Sequence, residues 1–120
     1  PSVMTPAELK ARTFQFSLDS YRLAKPWFRE QETRHVAQQL VRASSSVASN
    51  YRAACFGRSR AEFTAKIGVT REESDESAFW AEFAKAAHFP ANPILLREVH
   101  LEACELTRIF DASFRTSRGG

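Results

Sequence analysis

The spacing of apolar residues divides the chain into four predicted amphipathic helices. No segment alternates between apolar and polar positions with a period of two, so the pattern predicts no strand. Start signals and the few prolines and glycines place the helices at roughly 6–25, 33–56, 60–88 and 93–115. Short connections make successive helices pack against each other. The sequence therefore predicts an all-α fold, an antiparallel up-down-up-down four-helix bundle.

Three of the predicted helices begin with a side chain that can accept a hydrogen bond from the first turn. These residues are Thr5, Ser59 and Asn92. A glutamate follows three residues after the first two of them, at Glu8 and Glu62, which is the spacing of a capping box. The second helix has no comparable signal, and its start is the least clearly marked.

The first helix carries apolar residues on two faces. One face holds Leu9, Phe16, Leu23 and Trp27. The other face lies about 100–180° away and holds Phe14, Leu18, Tyr21 and Phe28. One face can meet the core, and an exposed aromatic stripe is typical of an interface. The second face therefore predicts a homo-oligomer, unless the core-facing stripe is unusually wide or the helix bends.

Carboxylates fall within an apolar row of the third helix, formed by Glu62, Val69, Glu73, Trp80 and Ala84. A buried carboxylate needs a partner. If the second and third helices form a hairpin around Gly57, Arg42 faces the carboxylates of the third helix. We interpret this set as a structural polar network of Arg42, Asn50, Glu62, Glu73 and Glu76, in which Asn50 could set the register.

Composition limits the class of protein. The chain has 120 residues, of which 43% are hydrophobic and 26% charged, and these values suit one globular domain spanning 1–120. No apolar run approaches the ~18–20 residues that cross a bilayer, so we expect no membrane association and a cytoplasmic location. Cys55 and Cys104 are too few for a disulfide framework.

No constellation of residues indicates catalysis, a metal or a cofactor. A di-iron bundle requires two Glu-x-x-His motifs, and only Glu32 to His35 matches. His100 and Cys104 lie one turn apart but have no second pair of ligands. The serines have no glycine-flanked nucleophile turn, and no glycine-rich loop could hold phosphates. We therefore expect a protein that is not an enzyme.

The basic residues are the better candidates for function. The net charge is +3, and 13 of the 17 basic residues are arginine, whose planar fork suits phosphate recognition. The candidates lie around the turn between the second and third helices and on the C-terminal tail, at Arg52, Arg58, Arg60, Lys66, Arg115 and Arg118. A solvated helix end would also be basic. An oligomer would repeat the patch and strengthen weak phosphate contacts.

The sequence 39–55, followed by 58–63, resembles the bacterial four helix bundle protein family, also called the 23S rRNA intervening-sequence protein family. The similarity continues through 66–68, the acidic run 72–76 and Trp80, whereas 57–58 and 69–71 depart from the pattern. The resemblance implies an antiparallel four-helix bundle that assembles as a homopentamer. It implies no enzymatic activity.

Two functions from different classes follow from these observations. The first is a non-catalytic oligomeric scaffold that binds RNA or DNA through a repeated arginine surface. The second is a protein-interaction module that docks a protein partner on an apolar helix face, with the positive charge incidental. Salt separates the two, because phosphate contacts weaken steeply as salt rises and apolar contacts do not.

Overall fold

The computed structural model describes residues 4–119 and confirms an all-α four-helix bundle. The helices are α1 (Pro6–Ala24), α2 (Gln31–Cys55), α3 (Arg60–Ala86) and α4 (Pro93–Gly119), and a 3₁₀ segment (Lys25–Arg29) follows α1. No strand occurs between residues 4 and 119. The bundle measures 45 × 29 × 21 Å. Its second helix begins at Gln31, two residues before the expected position, because the 3₁₀ segment leads almost directly into it.

Side-chain caps hold the helix starts that the sequence marks. The Thr5 hydroxyl accepts a hydrogen bond from the Glu8 amide at 3.1 Å, and the Glu8 carboxylate accepts one from the Thr5 amide at 2.8 Å. Hydrogen bonding of the Glu8 carboxylate to the Thr5 backbone amide, and then to the Thr5 side chain, lowers the pKa of Glu8. The Asn92 carboxamide oxygen accepts from the amides of Ile94 and Leu95 at 2.9 and 3.1 Å.

One tryptophan ties the segment after α1 to the loop before α4. Trp27 is 1% exposed, its indole N–H donates to the Pro90 carbonyl at 2.8 Å, and the Phe89 ring packs edge-on with ring centroids 5.1 Å apart. With Leu9, Phe16 and Leu23 it forms the core-facing side of the first helix. The four residues that share one predicted face are therefore all buried together.

The core face of α3 differs from the predicted row. Its buried residues are mainly small: Ile67, Gly68, Thr70, Ser74, Ser77, Ala78, Ala81 and Ala84. Of the predicted row only Ala84 is buried, whereas Glu62 and Val69 are exposed. Small side chains allow α2 and α4 to approach α3 closely, so this helix needs no broad stripe of large apolar residues. Two aromatic side chains of α3 lie outside, with Phe79 52% and Phe83 44% exposed, whereas Phe63 and Trp80 are half-buried against the core.

Hydroxyl groups on this small face bond to their own helix. Thr70, Ser74 and Ser77 each donate to the carbonyl four residues earlier at 2.8 Å. A buried hydroxyl without a partner would destabilise the fold, and these bonds remove that cost without using another helix. The polar residues of the α3 core therefore act as small spacers.

Gly68 of α3 packs against the Phe114 ring of α4. A Cβ atom at this position would lie 3.0 Å from Cε1 of Phe114, because the ring packs directly over the glycine. Arg71 covers the same ring from α3, with its guanidinium carbon 4.1 Å from the ring centroid. Because Gly68 has no side chain, the Phe114 ring can pack over α3 and cover this end of the core.

We expect Gly68→Val to lower the free energy of unfolding by about 1–3 kcal/mol, because the added methyl groups overpack the Phe114 ring. Urea unfolding followed by circular dichroism measures this loss. In a Phe114→Ala chain the same valine should cost less, since the space is then open. An equal loss in both backgrounds would contradict the packing explanation.

His88 ends α3 in a left-handed conformation, with φ of 60°, where a side chain is unfavourable. We expect His88→Gly to raise the free energy of unfolding by about 1 kcal/mol. His88→Ala is the control, because alanine keeps the Cβ and should bring no gain. Equal stabilisation by both substitutions, measured by urea unfolding, would show that the imidazole and not the backbone is the cause.

Candidate nucleic-acid interface

The up-down topology gathers basic residues at one end of the bundle. The N-termini of α1 and α3 and the C-termini of α2 and α4 meet there. Eight basic residues lie within two turns of these four helix ends, and one of them, Arg12, pairs with Glu102. We call the surface formed by the other seven the basic end: Lys10, Arg52, Arg58, Arg60, Lys66, Arg115 and Arg118. Six of the seven are the sequence-derived candidates, and the fold adds Lys10 from α1.

Only two carboxylates lie among these turns of the described chain, and both are engaged in capping. Glu8 accepts from the Thr5 amide, and Glu62 accepts from the Arg58 amide at 2.8 Å. At the opposite end of the bundle, two turns of each helix and the segments that connect the helices contain six basic and five acidic residues. The net positive charge of the protein is therefore concentrated at one end.

Most of the candidate cations have no carboxylate partner. Arg115 pairs with Asp111 at 3.0 Å. Across residues 4–119, no carboxylate oxygen lies within 4.0 Å of the charged nitrogens of Lys10, Arg52, Arg58, Arg60, Lys66 or Arg118. Their charge is available to a polyanion without the cost of breaking an ion pair.

Arg60 links the start of α3 to the end of α4. Its guanidinium donates to the Ser117 carbonyl at 2.7 Å and to the Thr116 carbonyl at 3.3 Å, where it complements the negative end of the helix dipole. The Thr64 and Ser117 hydroxyls are hydrogen-bonded beside it. With Arg118 these groups line a shallow pocket that offers guanidinium and hydroxyl donors to an anion.

Phe56 lies at the centre of the basic charges of α1 and α2, and sequence reasoning missed it. It caps the C-terminus of α2 and is 77% exposed. The Lys10 ammonium lies over its ring, 5.5 Å from the centroid. The sequence signal for this residue is a phenylalanine between the end of α2 and Gly57, where a large apolar side chain does not contribute to the core of a bundle.

The second predicted set, the polar network, is smaller than expected. Arg42 donates to both oxygens of Glu73 at 3.2 Å and also pairs with Glu76, whose carboxylate accepts from the Trp80 indole N–H at 3.1 Å. Hydrogen bonding to Glu76, followed by the charge of Glu73, raises the pKa of Arg42. The His35 ring packs edge-on against Trp80, with ring centroids 5.7 Å apart.

Asn50 and Glu62 do not belong to this network, which corrects the expectation. The Asn50 amide donates to the Ser46 carbonyl and hydroxyl in its own helix, at 3.0 and 2.8 Å. Glu62 is exposed and caps α3 instead. The reason is local competition, since both side chains reach a partner within four residues before they can reach another helix.

The second apolar face of α1 remains largely exposed. Phe14 is 55% and Tyr21 46% exposed, and Leu18 between them is half-buried. Phe28 differs, because it is half-buried and packs against the core. Three of the four interface candidates therefore form a continuous strip on the outside of α1.

A groove of about 720 Å³ between α1 and α4 was not expected from the sequence. Arg12 bridges it by donating to the Glu102 carboxylate at 2.6 and 2.7 Å, and this bond raises the pKa of Arg12. Four carboxylates and two guanidinium groups line the groove, from Asp19, Glu98, Glu102, Glu105, Arg12 and Arg108. The groove has more carboxylates than guanidinium groups, so the charge of the bundle is polarised.

Metal-ligand side chains do not cluster in the part of the chain that the structure describes, where no three His, Cys, Asp or Glu residues could share an ion. Cys55 and Cys104 are free thiols. Within residues 4–119 no helix has the length and apolar character needed to span a bilayer.

Comparison with known proteins identifies relatives by family and by fold. A family model described as 23S rRNA-intervening sequence protein matches residues 7–111. A crystal structure from Bacteroides thetaiotaomicron, described as a protein with unknown function from the S23 ribosomal protein family, has the same fold. The two structures match with a TM-score of 0.79 and share 21% sequence identity. The match covers 88% of this chain and 97% of the Bacteroides chain. No curated protein matches the sequence.

The ion pair of Arg42 with Glu73 should contribute to stability, and Glu72 offers a matched control for Glu73. We expect Glu73→Gln to lower the free energy of unfolding by up to about 1 kcal/mol at low salt, and by less at high salt, because it weakens a half-exposed ion pair. Glu72→Gln should have little effect, since Glu72 is exposed and forms no ion pair within the described residues. Equal losses for the two variants in urea unfolding would contradict this role.

Proposed function

This chain belongs to the 23S rRNA-intervening sequence protein family, and we propose that it serves as a non-catalytic oligomeric scaffold that binds RNA or DNA at the basic end. One observation carries the proposal. Seven basic residues meet at one end of the bundle, six of them have no carboxylate partner within residues 4–119, and the two carboxylates in the same turns accept hydrogen bonds from backbone amides. A cytoplasmic location follows from a nucleic-acid partner of this kind.

The basic end has the properties of a phosphate-binding surface. Six of its seven cations are exposed and Lys10 is half-buried. Five of them are arginine, and Arg60 keeps further N–H donors free beyond the two that bond to α4. Arginine and lysine contacts to phosphates release counterions, which provides most of the affinity for nucleic acid of any sequence. We therefore propose binding to the phosphate backbone with little preference for sequence.

Self-association would multiply these contacts. The strip of Phe14, Leu18 and Tyr21 on the outside of α1 supports the proposal that copies of the chain assemble through this helix. We propose that the assembly is a pentamer, as the resemblance to the four helix bundle protein family implies. An assembly with several basic ends binds a polyanion more tightly than one copy does, because the second contact is made at high effective concentration.

The same strip is the observation that favours the alternative function, a module that binds a protein partner through apolar contacts. Under this alternative the basic end is only a solvated surface. Binding of the partner would change little with salt, since burial of apolar area drives it.

The test measures fluorescence anisotropy of a labelled structured RNA and a labelled duplex DNA across a salt series. We expect affinity for RNA to fall as salt rises, and Arg52→Glu/Arg58→Glu to reduce the slope of log K against log salt by about two or more, at roughly 0.9 per phosphate contact. Both side chains are exposed and unpaired within the described chain, so the fold should persist.

Arg29→Glu/Arg97→Glu is the matched control. It makes the same charge change at the opposite end of the bundle, on two exposed arginines without ion pairs in residues 4–119. Light scattering of every variant separates a loss of binding from a loss of assembly. Absence of binding to RNA and DNA even at low salt, or equal losses in the two double variants, would overturn the proposal and favour the protein-interaction module.

A further inference from the structure

The side chain of Phe56 is the most exposed large hydrophobic group in residues 4–119, at 77%. It is not part of the core cluster, which includes the neighbouring Tyr51 and Ala54 and against which Cys55 and Phe63 pack. An isolated exposed phenylalanine needs no explanation in general. Here, however, the ring lies within a surface that otherwise carries only positive charge and capping groups.

Backbone hydrogen bonds hold the main chain of Phe56 at the end of α2. The Phe56 amide donates to the Ala53 carbonyl at 3.1 Å, and the Gly57 amide donates to the Ala54 carbonyl at 3.0 Å. The turn is tight, because a Cβ on Gly57 would lie 3.1 Å from the Ala54 carbonyl oxygen and 3.2 Å from the Phe63 amide nitrogen. Phe56 is therefore attached to a well-defined helix end and not to a long loop.

One cation lies over the ring, and two more are close to Phe56 in the chain. Lys10 lies over it at 5.5 Å, Arg52 precedes it by one helical turn, and Arg58 follows it by two residues. None of the three has a carboxylate partner within the described chain. An aromatic face with cations on several sides is the combination with which proteins bind single-stranded nucleic acid, by stacking bases and contacting the flanking phosphates.

We propose that Phe56 is a stacking platform for an unpaired nucleobase, and that Lys10, Arg52 and Arg58 contact the phosphates on either side of that base. This inference rests on the proposed function and names its substrate class, which is single-stranded or bulged RNA or DNA. A continuous duplex is a poor ligand for the ring, because its bases are already stacked on each other. The phenylalanine ring cannot form hydrogen bonds with the edge of a base, so the platform accepts any base.

The experiment compares Phe56→Ala with the unchanged chain, using fluorescence anisotropy at low salt. The probes are a labelled single-stranded RNA without secondary structure and a labelled RNA duplex of equal length. Loss of one stacked base should weaken binding of the single strand by about fivefold or more. Binding of the duplex should change by less than about twofold, since the phosphate contacts remain.

Phe56→Leu and Phe56→Tyr separate stacking from simple apolar contact. Leucine keeps most of the apolar surface without an aromatic face and should lose affinity for the single strand as alanine does, whereas tyrosine should retain it. The side chain is exposed, so all three variants should keep the helicity and molar mass of the unchanged protein.

The outcomes distinguish this inference from the proposed function. If Phe56→Ala binds the single strand as tightly as the unchanged chain while Arg52→Glu/Arg58→Glu does not, the stacking platform is wrong and the basic end remains a phosphate site. Equal losses on single strand and duplex would also overturn the platform. If the unchanged protein binds neither probe at low salt, the proposed function fails, and the platform fails with it.

Discussion

The small-residue face of α3 is the constraint on which the rest of the bundle depends. Glycine, alanine, serine and threonine occupy all of its buried positions except Ile67. Large side chains from the neighbouring helices, such as Leu40, Leu106 and Phe110, are fully buried in the core that this face helps to form. Two aromatic side chains of α3 itself, Phe79 and Phe83, lie on the outside of the molecule.

This packing positions the basic end. Because α3 lies close to α4 along its length, Phe114 covers Gly68 and the last turn of α4 comes within reach of Arg60. The short turn between α2 and α3 then brings Phe56 and Arg58 beside the same end. A looser bundle would separate these groups, since the bonds of Arg60 to α4 require the two helix ends to lie side by side.

Charge in this molecule serves two separate purposes. Around the middle of the bundle, guanidinium groups are paired with carboxylates on another helix, as in Arg12 with Glu102, Arg42 with Glu73 and Arg71 with Asp111. These pairs are partly exposed and contribute modestly to stability, but they favour one arrangement of the helices. At the basic end only Arg115 has a carboxylate partner within residues 4–119, and that partner, Asp111, lies on its own helix. The contrast separates residues that hold the bundle together from residues that are available to a ligand.

The amino-acid sequence by itself determined the number of helices, their capped starts, the buried face of α1 and the approach of Arg42 to Glu73 and Glu76. These features depend on interactions over a few residues or on a simple hairpin register, which periodicity and capping residues record directly. Only the tertiary structure decided which face of α3 is buried, because small residues produce little contrast between a core face and a solvent face. It likewise decided the contact of Lys10 with Phe56 and the Arg12–Glu102 pair, whose partners lie far apart in the chain and meet through helix packing alone.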